Sequence, residues 1–341
     1  MNKIPVAILG ATGAVGQHFF AILDQHPQFE ITGLYASRPR TCLSAVPWVA
    51  SLPQPTSAHR MPVEELSIDA LHQRGVRAIF CALPASVAAS IEMQLVQSGI
   101  AVFSNASAHR MDPDVPIVIP EINAPHLDLC PRDRALLVTN SNCSASGLTM
   151  VLRALEPLGL RAVHVATYQS VSGAGYPGVA SLDILGNVVP YIAREDEKIS
   201  METRKMLGTL QNGRIIEHPT QVIACAARVP TLFGHLETVF IQVETLCDEA
   251  KVISLLRSFR GHEAARELFS SPHPPIEVFE DPARPQPRLD VMRGNGMTVS
   301  VGGIRCMDRT ISLRLLVNNV IRGAAGGSVQ NAELALATGR L

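Results

Sequence analysis

No run of about 18 uninterrupted apolar residues occurs in the chain, so a membrane-crossing helix is not expected. The opening Met-Asn-Lys-Ile-Pro-Val-Ala-Ile-Leu-Gly lacks the apolar core and small-residue cleavage site of a secretory signal. There is no excess of either charge. The formal net charge is -1, which leaves out the basic footprint of a nucleic-acid binder. Paired cysteines are missing as well. Cys42, Cys81, Cys130, Cys143, Cys225, Cys247 and Cys306 are odd in number, widely scattered and without a Cys-x-x-Cys pair. That usage suits reduced thiols and a cytoplasmic protein. His126 and Cys130 stand at helical ligand spacing, but no second pair lies near them, so no metal is expected. Internal repeats and low-complexity tracts are absent too.

What remains is ordinary globular chemistry with 47% hydrophobic and 17% charged residues. At 341 residues the chain is long for one core and comfortable as two domains. The first half alternates short β-rich runs with helical ones. Strands are expected at 4–9, 30–35, 77–82 and 100–103, helices at 14–25 and 85–97, and a Pro- and Ser-rich loop at 43–61. This is the pattern of βαβ units, a parallel sheet with helices on both faces. Beyond about residue 145 the texture changes. Strand candidates at 160–171, 221–229, 236–245 and 310–317, with few helices between them, indicate an α+β domain with a mixed or antiparallel sheet. The proline-rich 281–288 reads as loop, and the alanine-rich 323–338 as a closing helix.

Gly10-Ala-Thr-Gly13-Ala-Val-Gly16 follows the first strand and opens the first helix. Glycines at such a turn let the backbone approach a pyrophosphate, whose charge meets the free N–H groups of a helix N-terminus. The Gly-x-x-Gly-x-x-Gly spacing is not the standard dinucleotide fingerprint, and a tight turn without a ligand is the competing reading. The second strand ends in Ser37-Arg38-Pro-Arg40, where an NAD enzyme usually carries an acid. A guanidinium suits a 2′-phosphate, so NADP is the expected cofactor, with Arg38 nearer the strand end than Arg40.

Cys143 lies in Thr139-Asn-Ser-Asn-Cys-Ser-Ala-Ser-Gly147, past an apolar strand and just before a helix expected at 148–155. A thiol placed there has its thiolate favoured by the helix dipole, and the same N–H groups can hold an oxyanion. The other six cysteines read as small buried hydrophobes. Taken alone, His235 reads as a strand histidine beside a glycine turn, and Glu195-Asp-Glu-Lys198 as a solvated helix face.

Seven segments, in order along the whole chain, resemble the aspartate-semialdehyde dehydrogenase family in its archaeal and fungal branch. They cover 10–16, 104–116, 141–144, 169–178, 228–235, 294–302 and 321–326. The resemblance implies a Rossmann-like α/β dinucleotide-binding domain (residues 1–141 and 322–341) and an α+β catalytic and dimerisation domain with a mixed sheet (142–321). It implies Cys143 as nucleophile, His235 as general acid/base and Gln169 as the group that positions substrate beside the thiol. Arg228 would bind the substrate α-carboxylate, Glu195 would lie near its ammonium group with Asn142 beside it, and Arg110 and Lys198 would bind phosphate. For NADP it implies Gly10, Thr12, Gly13, Ala14, Val15 and Gly16, then Ser37 and Arg38, with Ser172, Gly173 and Asn319 at the nicotinamide half. The implied reaction reduces aspartyl phosphate to aspartate semialdehyde, feeding lysine, threonine and methionine biosynthesis, in a homodimer or homotetramer without nucleic-acid or membrane partners. Ser141, Ala145, Asp196, Met292 and Arg293 depart from the family pattern. A malonyl-CoA reductase, an N-acetyl-glutamyl-phosphate reductase or an inactive binding relative remain as alternatives.

Overall fold

A computed structural model describes residues 2–341. The first six strands are β1 (Ile4–Leu9), β2 (Phe29–Tyr35), β3 (Val63–Glu64), β4 (Ala78–Cys81), β5 (Ala101–Ser104) and β6 (Leu137–Thr139). β1, β4 and β5 read as continuous apolar runs because both faces are covered, as an all-parallel sheet requires. All neighbouring pairs are parallel, in the order β3-β2-β1-β4-β5-β6. That is the doubly wound order of dinucleotide-binding sheets, in which the strand order reverses beside β1 and ligands settle at the carboxyl ends. Helices Ala14–Leu23 and Ala85–Gln97 are the crossovers expected from the sequence. The 43–61 segment is a loop interrupted by two short turns of 3₁₀ helix.

The later strands are β7 (Leu160–Gln169), β8 (Thr209–Gln211), β9 (Arg214–Ile216), β10 (Gln221–Arg228), β11 (His235–Val243), β12 (Ile276–Val278), β13 (Val299–Met307) and β14 (Thr310–Val317). Six form a mixed sheet, β10-β7-β11-β14-β13-β12, parallel at its two outer pairs and antiparallel within. β8 and β9 make a separate hairpin. One face of the mixed sheet packs on helix Cys143–Leu155, through Leu148, Val151 and Leu155 against Val163, Val239 and Leu313. The closing helix Gly326–Ala337 returns to the first sheet, where Val329 and Ala332 pack among Phe19, Phe80 and Phe103.

Five elements differ from the sequence reading. The helix expected at 148–155 begins five residues earlier, at Cys143. Asn142 caps it, and its small residues fit tightly: a Cβ on Gly147 would lie 2.8 Å from Val317 Cβ. Helices Glu195–Leu207 and Glu249–Ser258 interrupt the strand-rich half. The first buries Glu195, Glu202 and Lys205 along with Ile199 and Met206, so a scan for apolar periodicity passes over it. β13 and the short β12 also went unrecognised, because glycines and polar residues dilute their pattern.

Candidate active site

Strand ends gather the site. β7 and β10 run parallel and in register, so that Gln169 and Arg228, their last residues, lie side by side. β11 runs the other way, which brings its first residue, His235, to the same end. Cys143 opens its helix directly after β6. A cleft of about 810 Å³ joins this end to the Gly10–Gly16 turn. Of the residues expected to act, Gly10, Thr12, Gly13, Ala14, Val15, Ser37, Arg110, Asn142, Cys143, Gln169, Ser172, Gly173, Glu195, Lys198, Arg228 and Asn319 all line it. Gly16, Arg38 and His235 do not. Gly16 is packed behind the turn, where a Cβ would lie 2.1 Å from Gly10 O. Arg38 is exposed just beyond β2. His235 is fully buried behind the thiol.

The central contact is Cys143 Sγ to His235 Nε2 at 3.1 Å. The backbone N–H of Ser170 donates to His235 Nδ1 at 3.1 Å, so in the neutral ring the proton belongs on Nε2, facing sulfur. Burial first, and then the Arg228 guanidinium, lowers the His235 pKa to about 3. Burial pushes the Cys143 thiol up to about 12, reinforced by Glu195 and opposed by Arg110 and Arg228. The pair is therefore a thiol and a neutral imidazole. The helix N-terminus, expected to favour the thiolate, is here opposed by burial. Asn142 Oδ1 already accepts from Ser144 N and Ala145 N, both at 3.0 Å, so the desolvation cost prevails.

Support for this pair is dense. Glu195 Oε1 accepts Asn142 Nδ2 at 2.8 Å and Gln169 Nε2 at 2.9 Å, so within a stretch that read as a solvated face Glu195 itself is buried, while Glu197 stays exposed. Gln169 also donates to Ser144 Oγ at 3.1 Å. Arg228 Nη1 donates to Ser170 O at 2.9 Å. Asn319 accepts from Gly234 N at 2.8 Å and donates to Ser172 Oγ at 2.9 Å, tying the Ser172 loop to the turn before His235. Lys198 Nζ lies 4.0 Å from Glu195 Oε2. Asp196, where the sequence departs from the family, accepts from Ala226 N at 2.7 Å and joins its helix to β10.

Several supporting residues escaped the sequence reading. Glu202 and Lys205 fall on the same helix face as Glu195 and Lys198, a signal present in the sequence only as helical spacing. Glu237, two residues from His235, is fully buried, and burial holds its carboxyl well above the usual carboxylate range. Gly323 lies in a π-helical turn, Ile321–Ala325, that presses on the nucleophile; a Cβ there would be 2.6 Å from Cys143 Cβ. His126 and Cys130 serve packing: His126 bonds Asn123 Nδ2 and Gly208 O, each at 3.0 Å, and Cys130 Sγ reaches Leu137 O at 3.5 Å.

The residues present fit a dinucleotide. Helix Ala14–Leu23 has no side chain capping its N-terminus, which leaves its first N–H groups for a pyrophosphate. A doubly wound sheet with such a turn, opening on a cleft-facing cysteine backed by a buried histidine, defines a dinucleotide-dependent dehydrogenase that works through a thiol. Comparison with known proteins sharpens this. Residues 5–130 match the semialdehyde dehydrogenase NAD binding domain, and residues 152–322 match the semialdehyde dehydrogenase dimerisation domain. The chain is 41% identical to the aspartate-semialdehyde dehydrogenase of Methanothermobacter thermautotrophicus, over 97% of this chain and 98% of that one. It is 37% identical to that of Schizosaccharomyces pombe, over 98% of each. The crystal structure of the Candida albicans aspartate semialdehyde dehydrogenase with NADP superposes with a TM-score of 0.89 at 32% identity, covering 100% of both chains. The chain belongs to the aspartate-semialdehyde dehydrogenase family.

Proposed function

We propose that this protein catalyses the NADPH-dependent reductive dephosphorylation of L-4-aspartyl phosphate to L-aspartate 4-semialdehyde. The observation that carries the reading is the 3.1 Å Cys143–His235 contact, in a cleft whose wall holds Arg228 and Arg110 and whose far end is the glycine turn. A substrate with a carboxylate at one end and a phosphoryl group at the other needs two cationic grips. Arg228 takes the α-carboxylate, with Glu195 near the ammonium group; Arg110 and Lys198 take the phosphoryl group. Held this way, the acyl carbon meets Cys143 Sγ, which forms the thioester as the acyl–phosphate bond breaks, the thiol proton passing to the departing phosphate. Gln169, its amide fixed by Glu195 and Ser144, orients the acyl group. His235 aims its Nε2 proton at the sulfur and at the oxygen that gains charge, and assists collapse of the thiohemiacetal. NADPH, when bound, supplies the hydride that reduces the thioester. The Gly10–Gly16 turn would hold its pyrophosphate, Ser37 and Arg38 its 2′-phosphate, and Ser172, Gly173 and Asn319 its nicotinamide half.

In this reading residues 1–141 and 322–341 form the NADP-binding domain, and 142–321 the catalytic and dimerisation domain. The return of helix Gly326–Ala337 to the first sheet supports that division. A cytoplasmic setting accords with seven unpaired cysteines, and among the described residues no helix is long and apolar enough to cross a membrane. The subunit contact is assigned to the open face of the mixed sheet. There Ile223, His164 and Phe240 form one register row across β10, β7 and β11, with Ile223 54% and Phe240 48% exposed. An apolar row of this kind, in a segment matching a dimerisation domain, suits a second copy of the chain.

The test is phosphate-dependent NADP reduction with L-aspartate 4-semialdehyde, run beside malonate semialdehyde with coenzyme A. Turnover is expected only in the first assay, and loss of it is expected in Cys143→Ala while NADPH affinity stays within about twofold, since the thiol serves bond-making alone. Activity confined to the coenzyme A assay would overturn the substrate and keep the thiol mechanism.

A further inference from the structure

Helix Glu195–Leu207 presents more than Glu195 and Lys198 to the site. Glu202, two turns further along, is 2% exposed and divides its carboxylate between two donors. Oε1 accepts Arg110 Nη1 at 3.0 Å, and Oε2 accepts the backbone N–H of Asn142 at 2.5 Å. We propose that Glu202 is a positioning residue whose single carboxylate sets both the anion-binding arginine and the turn that presents Cys143. This rests on the reading above, in which Arg110 takes the phosphoryl group.

The chemistry of the position demands a carboxylate. Both partners are N–H donors, so the side chain must offer two acceptors in one rigid plane. Glutamine offers one acceptor and one donor; whichever way its amide turns, an N–H faces an N–H. Aspartate keeps both acceptors but withdraws them by one methylene. At the arginine end, Arg110 Nη2 donates to Asn105 O at 2.8 Å. Glu202 and that carbonyl thus hold two corners of a guanidinium whose buried Nε–H makes no hydrogen bond to the protein. The orientation of the remaining donors, which an arriving anion would use, follows from those two anchors.

At the other end, Asn142 is the residue before the nucleophile. Its Oδ1 caps Ser144 N and Ala145 N, and its Nδ2 binds Glu195. Its backbone N–H is the group left over, and Glu202 takes it. Lys205, three residues on, donates to the carbonyls of Arg110, Asp112 and Val115 at 2.6, 2.9 and 2.8 Å. It pins the backbone of the loop whose side chain Glu202 pins. One helix face therefore sets the spacing between the sulfur and the site of the leaving group, a distance on which in-line displacement depends.

The experiment compares wild type, Glu202→Gln, Arg110→Met and the double variant in phosphate-dependent oxidation of aspartate semialdehyde. Glu202→Gln is expected to raise the KM for phosphate about tenfold and lower kcat about tenfold, the scale of one charge-assisted hydrogen bond at each end, with the Kd for NADP within about twofold. In the Arg110→Met background, Glu202→Gln should leave the phosphate KM where Arg110→Met put it and still lower kcat through Asn142. An unchanged phosphate KM in Glu202→Gln, or independent multiplication of the two KM effects, would overturn the proposal. Should Glu202→Gln fail to fold, Glu202→Asp must show the same split between KM and kcat. Absence of phosphate-dependent turnover in wild type would refute the function assigned above instead. The inference would then be decided by iodoacetamide alkylation of Cys143, read on its peptide by mass: several-fold slower in Glu202→Gln supports it, and equal rates overturn it.

Discussion

Cys143 and His235 face one another as neutral groups, and the reason lies in what each touches. The imidazole accepts a backbone N–H on one nitrogen and is wholly buried, so a charge on it has no solvent. The thiol meets a carboxylate as well as two guanidinium groups, and burial outweighs both. Reactivity in such a site depends on substrate arriving with its own charge, beside cationic groups already in place. The same residue-level logic sets a stability prediction at His126, which burial holds down to about 4 from an ordinary 6.5. Its Nδ1 faces the Asn123 amide N–H, so the folded chain refuses a proton there. Between pH 6.5 and 4 the unfolded chain binds a proton that the folded one does not, and stability falls as pH falls through that window, by at most about 3 kcal/mol from this residue. Urea unfolding at pH 7 and at pH 4 should show His126→Gln less stable than wild type at pH 7, with the gap narrowing at pH 4. A constant gap would remove His126 as the source.

Among the elements, helix Cys143–Leu155 and the π-helical turn Ile321–Ala325 act as one unit. The turn forms where Gly323 N reaches back to Asn318 O at 2.9 Å, one residue further than an α-helix allows. That widened turn passes so close to the nucleophile that only a hydrogen fits between Gly323 Cα and Cys143. Gly323→Ala is expected to displace the sulfur and lower kcat by about a hundredfold, the cost of a misplacement near 1 Å. Alkylation of Cys143 should slow with it, while melting shifts by only a few degrees; full activity in this variant would show that the turn moves freely. Helix Glu195–Leu207 teaches a different lesson. Three of its charged residues face inward because each has a partner: Asn142 and Gln169 for Glu195, Arg110 for Glu202, three carbonyls for Lys205. Buried charges of this sort are indistinguishable from a solvated face in the residue pattern, since the pairing groups lie 26 to 95 positions away in the chain.

For the whole molecule, two sheets with separate cores meet along the cleft, one offering the glycine turn and the other the Gln169, Arg228 and His235 strand ends. The row of Ile223, His164 and Phe240 looks away from both cores. If a second chain covers it, Ile223→Asp combined with Phe240→Asp should shift the protein to a monomer by light scattering, because two buried carboxylates would face apolar surface. An unchanged mass would move the subunit contact elsewhere. The sequence by itself determined the class of fold and the chemistry on offer. Local periodicity marks parallel strands and crossovers, the glycine turn marks the dinucleotide end, and the segment around Cys143 belongs to a motif series specific enough to name a family. These are properties of short stretches, whose physics is complete within about fifteen residues. Only the tertiary structure decided that Cys143 rests as a thiol, that Glu202 joins Arg110 to Asn142, and that Gly323 must lack a side chain. Each of those depends on desolvation and on partners brought from distant parts of the chain, and neither is a property of any segment taken alone.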